Sequence, residues 1–311
     1  MKNRVAFILM HAGLATVFAA LPTHRTFSIR HYTSIHRTGL KRTPESQRSI
    51  ERAKHKSHLK ETTAIPGKSD ISALVSLPEN QGDCGACWDF SLTKALRSAF
   101  MVAHQDPGAL AFNYLLNNCG PGPSEEGCGG GDFPAAGNFL HGDGPWLNSQ
   151  DPYTGQEGQC MNLPEKATAV SYSMLGSNNN GPTFKDLAYE VGAATQMVSI
   201  DVAASDGDWS NYSGGIYNDC QGGAGDINHM IDLVGYDCET SVDANGNCSF
   251  DKNGVPVNGD GYLIVENNWG EDWGTRAANG HGGYMKTRMY DRNGNNCNAI
   301  ATDGLVYTIK P

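Results

Sequence analysis

The chain has 311 residues, enough for one large domain or two modest ones, and a formal charge of −10 at neutral pH. The charge is split: residues 1–63 hold 12 Lys/Arg against 3 Asp/Glu, a net +9, whereas the remainder holds 11 against 30, a net −19. A body this acidic repels nucleic acid and anionic lipid, so neither is an expected partner.

The first residues read as an address. Lys2 and Arg4 precede the apolar run "VAFILMHAGLATVFAAL", with small residues at Ala19 and Ala20. A basic start, a short apolar core and a small-residue exit predict a signal peptide over 1–20. A membrane anchor is disfavoured because the run falls short of the ~20 residues that a span needs, so no membrane association is expected once the signal is removed. Residues 21–63 are basic and His-rich, and six of the ten histidines lie within the first 63 residues. Pro44–Lys60 could form a short charged helix, but it has no apolar face with which to build a core. It reads either as a disordered arm or as a removable prosegment. Apolar residues return near Ala64, where the body is expected to begin.

From Cys87 the pattern is helical. Leu92, Leu96 and Phe100 recur every four residues, flanked by Ala95, Ala99 and Ala103, with Lys94 and Arg97 on a narrow polar edge. Residues 117–136 are too rich in Gly and Pro for long elements, and their glycine run lacks the Lys-Ser/Thr of a phosphate loop. Beyond Thr183 come five short apolar or alternating runs separated by Gly, Asn and Asp: "QMVSIDVAA", "HMIDLVGYD", "GYLIVENNWG", "GGYMKTRMY" and "GLVYTIKP". They predict an antiparallel sheet or barrel. A helical half followed by a β half makes a cleft between them the natural place for a site. Residues 238–260 resemble a calcium loop only faintly, since Cys248 stands where that loop requires glycine; tight hairpin turns clipped by a local Cys238–Cys248 bridge fit better.

Nine cysteines lie between Cys84 and Cys297, which suits an exported, disulfide-bonded protein. The odd one is an intermolecular bridge or a reactive thiol. "QGDCGACWDFS" places Cys84 and Cys87 three apart. A redox pair would need a βαβ context, and structural zinc would need a second close ligand pair. A nucleophile needs a helix N-terminus, a histidine from elsewhere in the fold and an oxyanion donor. Cys87 begins the long helix, and Gln81 can present its amide beside the sulfur.

These residues resemble the active-site segment of the papain-like cysteine peptidases. The likeness continues through "CGGG" at Cys128–Gly131, "DPYTG" at Asp151–Gly155, "SGGIYNDC", "NHMIDLVGYD", "YLIVENNWGEDWG" and "GGYMKTRM". It implies an α+β, papain-like two-lobed fold: a mainly helical N-terminal lobe over about 64–180, an antiparallel β-barrel-like lobe over about 181–311, and the active-site cleft between them. By position, Cys87 would be the nucleophile, His229 the general acid/base, Asn267 its orienting amide and Gln81 the oxyanion donor. The 238–260 insert accounts for the late arrival of Asn267. Trp269 would cover the His–Asn hydrogen bond. Gly130, Gly131, Phe133, Asp201 and Ile227, with Thr302, would line the substrate cleft, and Asp201 suggests a pocket that tolerates a basic residue. Family pairing implies Cys84–Cys128, Cys119–Cys160 and Cys220–Cys297.

The implied activity is that of a cysteine endopeptidase, made as a secreted or lysosome/vacuole-type zymogen. It would act on proteins or peptides as a monomer, without metal or cofactor, and cystatin-like inhibitors are candidate partners. His104, His141 and His281 read as surface or structural histidines. Three departures stand out. Asp89 sits where a small residue is usual and is expected to face away from the thiol and matter little. Met230 replaces the small residue after the histidine. The family's long helical prosegment is replaced by about 40 residues of basic arm, which would dock on the acidic body and loosen in acid.

Overall fold

In a computed structural model, residues 36–54, 63–140, 144–164, 167–169, 171–176, 180–204, 207–220 and 222–309 are described. The expected signal segment, most of the basic arm and His141 lie outside them. Among the described residues no helix is long and apolar enough to cross a membrane.

Helix α1 (Pro44–Ala53) starts in a capping box: Thr43 Oγ1 accepts from the Ser46 N–H, Ser46 Oγ accepts from the Thr43 N–H, and Pro44 fits the first turn. Its one buried residue, Ile50, enters the core beside Trp88, Leu92 and Phe139. The expectation that this segment contributes nothing to a core is therefore corrected. A single isoleucine suffices when a helix lies on a core that already exists.

Strand β1 (Lys68–Asp70) comes next, and then helix α2 (Cys87–Val102), which buries Leu92, Ala95 and Leu96. Short α3 (Asn113–Leu116) and a 3-10 helix at Phe133–Phe139 complete the helical lobe, followed by β2 (Ser171–Leu175). Helix α4 (Phe184–Gly192), opened by a Thr183/Asp186 capping box, leads to β3 (Val198–Val202) and to short α5 (Gly207–Ser210). Strands β4 (Ile216–Tyr217), β5 (His229–Asp237), β6 (Tyr262–Glu266), β7 (Tyr284–Thr287) and β8 (Gly304–Thr308) follow. All five apolar runs form strands.

The sheet runs β2-β8-β3-β5-β6-β7-β4, with β1 also on β5; the pairs are antiparallel except β4 with β7. Strand β5 is the hub. Its first half pairs with β3, from Val202 opposite His229 to Val198 opposite Leu233, and its second half pairs with β1 on that side and with β6 on the other. Buried everywhere but at its last residue, it is a nearly continuous apolar run, as a central strand must be. Its pairing with β6 starts only at Asp232, so His229 stands beyond the end of β6.

Two large cores divide the work, beside a small cluster of Phe90, Phe112 and Leu116. One packs α4 against the sheet and also takes in Ile65, Ile71 and Val75, so the first apolar residues of the body support the β lobe and not the helical one. The other surrounds α2 and the Phe133–Phe139 helix. Four disulfides join Cys84–Cys128, Cys119–Cys160, Cys220–Cys297 and Cys238–Cys248, and Cys87 is the free cysteine.

Candidate active site

The loop ahead of α2 is pinned from two directions. The Cys84–Cys128 disulfide and the Gly85 N–H on the Cys128 carbonyl, 3.1 Å, tie it to the glycine run. The Gln81 N–H donates to the Asn268 carbonyl, 2.9 Å, which ties it to the segment after β6. Cys87 is thereby fixed as the first residue of α2, where helix N–H groups lack intrahelical partners. Trp88 beside it is fully buried, and a Cβ on Gly131 would lie 2.5 Å from its ring, so the backbone at 131 must be bare.

His229, also fully buried, opens β5. Its Nε2 lies 2.8 Å from Asn267 Oδ1, and its ring stacks on Trp269 with centroids 4.9 Å apart. Its Nδ1 has no hydrogen-bond partner among the described residues, which leaves that nitrogen free for proton transfer. The N–H of Met230, the next residue, faces the Cys87 sulfur. Gln81 is buried too; its Nε2 donates to the Cys84 carbonyl at 2.8 Å.

Sequence reasoning missed Asn268. Its Nδ2 donates to the Met230 carbonyl at 2.9 Å and to the Cys87 carbonyl at 3.4 Å, while its N–H donates to Asn267 Oδ1 at 2.7 Å. One amide thus couples α2 at Cys87, β5 next to His229 and the Asn267 side chain. A second asparagine within "ENNWG" was the available signal.

The arm occupies this site. The Gly39 N–H donates to Cys87 Sγ at 3.1 Å. Gly131 N–H donates to the Gly39 carbonyl at 2.9 Å, Lys41 N–H to the Gly131 carbonyl at 3.0 Å, and Leu40 N–H to the Asn228 carbonyl at 3.0 Å. Residues 39–41 therefore run along Gly131 as an added, parallel strand segment. His36 stacks on Trp269 with ring centroids 4.4 Å apart, and Trp269 Nε1 donates to the Arg37 carbonyl. A Cβ on Gly39 would lie 1.8 Å from the Gly85 carbonyl oxygen, and one on Gly130 would lie 2.6 Å from the Gly39 carbonyl oxygen.

Burial under the arm sets the electrostatics. It pushes the Cys87 thiol up to about 12, although the N–H groups of Met230, Gly39, Trp88 and Leu40 favour the thiolate. It also lowers His229 to about 4, against the Asn267 hydrogen bond that raises it. With the arm in place the pair is a neutral thiol and a neutral imidazole at physiological pH.

Beyond Gly39 the arm enters a carboxylate cage. Arg42 donates through Nε and Nη2 to the two oxygens of Asp132, at 3.2 and 3.3 Å; its Nη1 bonds Asp303 and lies 3.2 Å from Asp201. Its guanidinium sits 5.8 Å over the Phe133 ring. Lys54 reaches Asp303 from the other side at 2.7 Å, and Ser46 Oγ donates to Asp132 at 2.7 Å. All three aspartates are fully buried. Burial lowers the Arg42 pKa, but Asp201, Asp132 and Asp303 outweigh it and hold the guanidinium above its usual value. Burial and then Asp303 raise Asp201 to about 8, with Arg42 opposing.

Of the residues expected in the pocket, Asp201 and Phe133 lie in this cage and Ile227 packs at the edge of the helical-lobe core. Thr302 does not contribute to the cage. Its hydroxyl donates to the Ala299 carbonyl, and the neighbouring Asp303 takes the place expected of it. Asp132 and Asp303 were both missed.

Two further corrections concern α2. Lys94 is not on an exposed edge: it is buried, 2.7 Å from Glu266 and 3.3 Å from Asp232, directly behind the Asn267 and His229 segments. Asp89, expected to matter little, is fully buried, accepts from Thr93 Oγ1, and burial raises its pKa well above its ordinary value. His281 is exposed beside Glu271, and His104 is an exposed residue of left-handed backbone after α2. A cavity of about 480 Å³ lined by Lys68, Tyr262, Arg276 and Lys286 shares no residue with the site, because the arm fills the cleft itself.

Residues 65–307 match the family model described as "Papain family cysteine protease". The chain is 30% identical over 250 residues to the oryzain gamma chain of Oryza sativa subsp. japonica, covering 78% of this chain and 60% of that one. It is 30% identical to thiol protease aleurain of Arabidopsis thaliana, covering 79% and 61%. Among solved structures it resembles the bromelain protease of Ananas comosus in complex with the E64 inhibitor, with TM-score 0.61 and 25% identity over 79% of this chain and 100% of that one. Digestive procathepsin L2 proteinase from the Tenebrio molitor larval midgut gives TM-score 0.67 at 25% identity, over 88% and 78%. The chain spans about 60% of the length of the curated relatives it matches. The fold is the α+β two-lobed papain fold, and the chain belongs to the papain family of cysteine proteases.

Proposed function

We propose that this protein is a cysteine endopeptidase held closed by its own basic arm. The observation that carries the reading is the free cysteine at a helix start, with the His229–Asn267 hydrogen bond delivered beside it and roofed by Trp269. Once the arm leaves, water returns to the cleft and removes the burial that keeps both groups neutral. The helix N-terminus and the surrounding N–H groups then favour the thiolate, and His229 takes the proton.

The Cys87 thiolate attacks a peptide carbonyl, and the oxyanion accepts hydrogen bonds from the Cys87 N–H and a Gln81 amide hydrogen. His229 protonates the departing amine as the C–N bond breaks, leaving a thioester on Cys87. Water, deprotonated by His229, hydrolyses that thioester and regenerates the thiol. Asn267 holds the imidazole plane without carrying charge. Substrates are proteins or peptides lying along Gly130 and Gly131, as the arm does.

Residues 1–20 act as the signal and 21–63 as the prosegment of a peptidase body beginning near residue 64. The route is secretion or delivery to an acidic compartment, where protonation of carboxylates across the acidic body weakens its attraction for the basic arm. Incubation of the full chain at acid pH, with a dipeptidyl fluorogenic substrate, tests this reading. Hydrolysis that appears on processing and is abolished by Cys87→Ser supports it; a processed chain that neither cleaves the substrate nor reacts with thiol-directed inhibitors defeats it.

A further inference from the structure

Arg42 is an unusual anchor. Three fully buried carboxylates converge on one side chain, and a fourth group, Lys54, comes from the same arm. No cation from the body itself joins the cage among these contacts. When the arm departs, both cations leave with it and the three acids remain at the bottom of the cleft. Burying carboxylates without a counter-charge is costly, so the vacated cage calls for a replacement cation.

The geometry points to a substrate arginine as that replacement: we propose that Asp132, Asp201 and Asp303 form an arginine-selecting pocket, for which Arg42 serves as the resident occupant. The assignment rests on the peptidase reading above. Three features select a guanidinium over an ammonium. The Nε and Nη2 pair meets both oxygens of Asp132 side by side, a fork that lysine does not possess. Nη1 simultaneously serves Asp303 and Asp201. The guanidinium carbon lies 5.8 Å over the Phe133 ring, within the reach of a cation–π contact. The cage is also within reach of the chemistry. Arg42 follows by three residues the Gly39 whose N–H touches Cys87 Sγ, so the selected side chain lies within about three residues of the scissile bond, at a spacing of ~3.3 Å per extended residue.

The test uses the full chain, as wild type and as Arg42→Ala, with two sets of peptidyl alkylating probes. Each set walks one residue through the three positions nearest the reactive group; the sets differ only in carrying arginine or its uncharged isostere citrulline at that residue. Labelling of Cys87 is read by intact mass. At one position the arginine probe should label about 10- to 100-fold faster than the citrulline probe, the range expected for charge-assisted hydrogen bonds. Arg42→Ala, which removes the guanidinium from the cage, should accelerate the arginine probe. In that background Asp201→Asn should erase most of the preference while leaving labelling by iodoacetamide intact. Equal arginine and citrulline rates at every position, or labelling by iodoacetamide but by no peptidyl probe, would overturn the pocket and spare the peptidase. A thiol that no reagent labels in either chain would overturn both.

Discussion

Gly39 is the point at which the arm meets the Cys87 sulfur, and replacing it by alanine tests whether that contact governs access. Its backbone is not in the left-handed region, so alanine is locally tolerated; the obstacle is the Gly85 carbonyl oxygen, 1.8 Å from where the Cβ would sit. Both sides of that clash are main chain, and Gly85 is itself fastened through its N–H to the Cys128 carbonyl. The arm must therefore lift, and the 3.1 Å contact from the Gly39 N–H to Cys87 Sγ is lost. Overpacking of this kind costs about 1–3 kcal/mol, and it acts on the closed state alone. At 1.4 kcal/mol per decade, the open fraction should rise about 5- to 150-fold. Cys87 is the free cysteine, so iodoacetamide incorporation read by intact mass reports opening directly, provided that reclosing outpaces labelling. Gly207→Ala, whose Cβ would meet nothing closer than 4.0 Å, is the control. Labelling of Gly39→Ala at the wild-type rate, with both chains folded, would mean that the arm does not guard the sulfur and that the raised thiol pKa has some other origin.

Three further outcomes are expected. Asn268→Ala removes donors to the Met230 and Cys87 carbonyls; it should lower kcat of the activated enzyme by about tenfold or more, with KM nearly unchanged, and lower stability by about 1–3 kcal/mol. Steady-state kinetics beside a thermal melt separate the two effects. Burial, opposed by Lys94, raises Asp232 to about 6 and Glu266 to about 7. Unfolding between about pH 4 and pH 7 therefore releases protons that the fold retains, stability falls as pH rises through that window, and Glu266→Gln should flatten the slope of Tm against pH. Replacing Cys238 and Cys248 by serine opens a loop of separation 10; chain entropy predicts a loss of about 2–3 kcal/mol in a denaturant melt, with thiol labelling at Cys87 unaffected.

The legible part of the site consists of residues whose neighbours in sequence are also their neighbours in function. Cys87 carries its helix start and its glycine-rich loop with it, and "NHMIDLVGYD" announces both His229 and the strand that holds it. The charge network was illegible for the opposite reason. Lys94 reads as a polar edge residue on a helical wheel, and only β5 and β6, far along the chain, supply the Asp232 and Glu266 that make its burial tolerable. Ile50 was overlooked because a hydrophobic stripe is the usual mark of a packed helix, whereas α1 is held by one apolar side chain and by a set of ion pairs at its two ends.

The cage shows why a position carried over by resemblance can miss by one residue. Ahead of β8 the backbone turns left-handed at Asn298, Ala299 and Ala301, three non-glycine residues in a conformation that reverses the usual direction of side chains. A position carried over by resemblance does not register such a turn, and Thr302 was expected where Asp303 stands. Such strained turns persist only where their surroundings hold them. Here the Asp303 N–H donates to Asp201 Oδ1 at 2.8 Å, and the Ala301 N–H donates to the Asp201 carbonyl at 2.8 Å. The bonds that hold the turn also aim the second carboxylate at Arg42. The same backbone distortion that hid Asp303 from sequence reasoning thus helps build the pocket, and a substitution that relaxes the turn should disperse the carboxylates without touching Cys87 or His229.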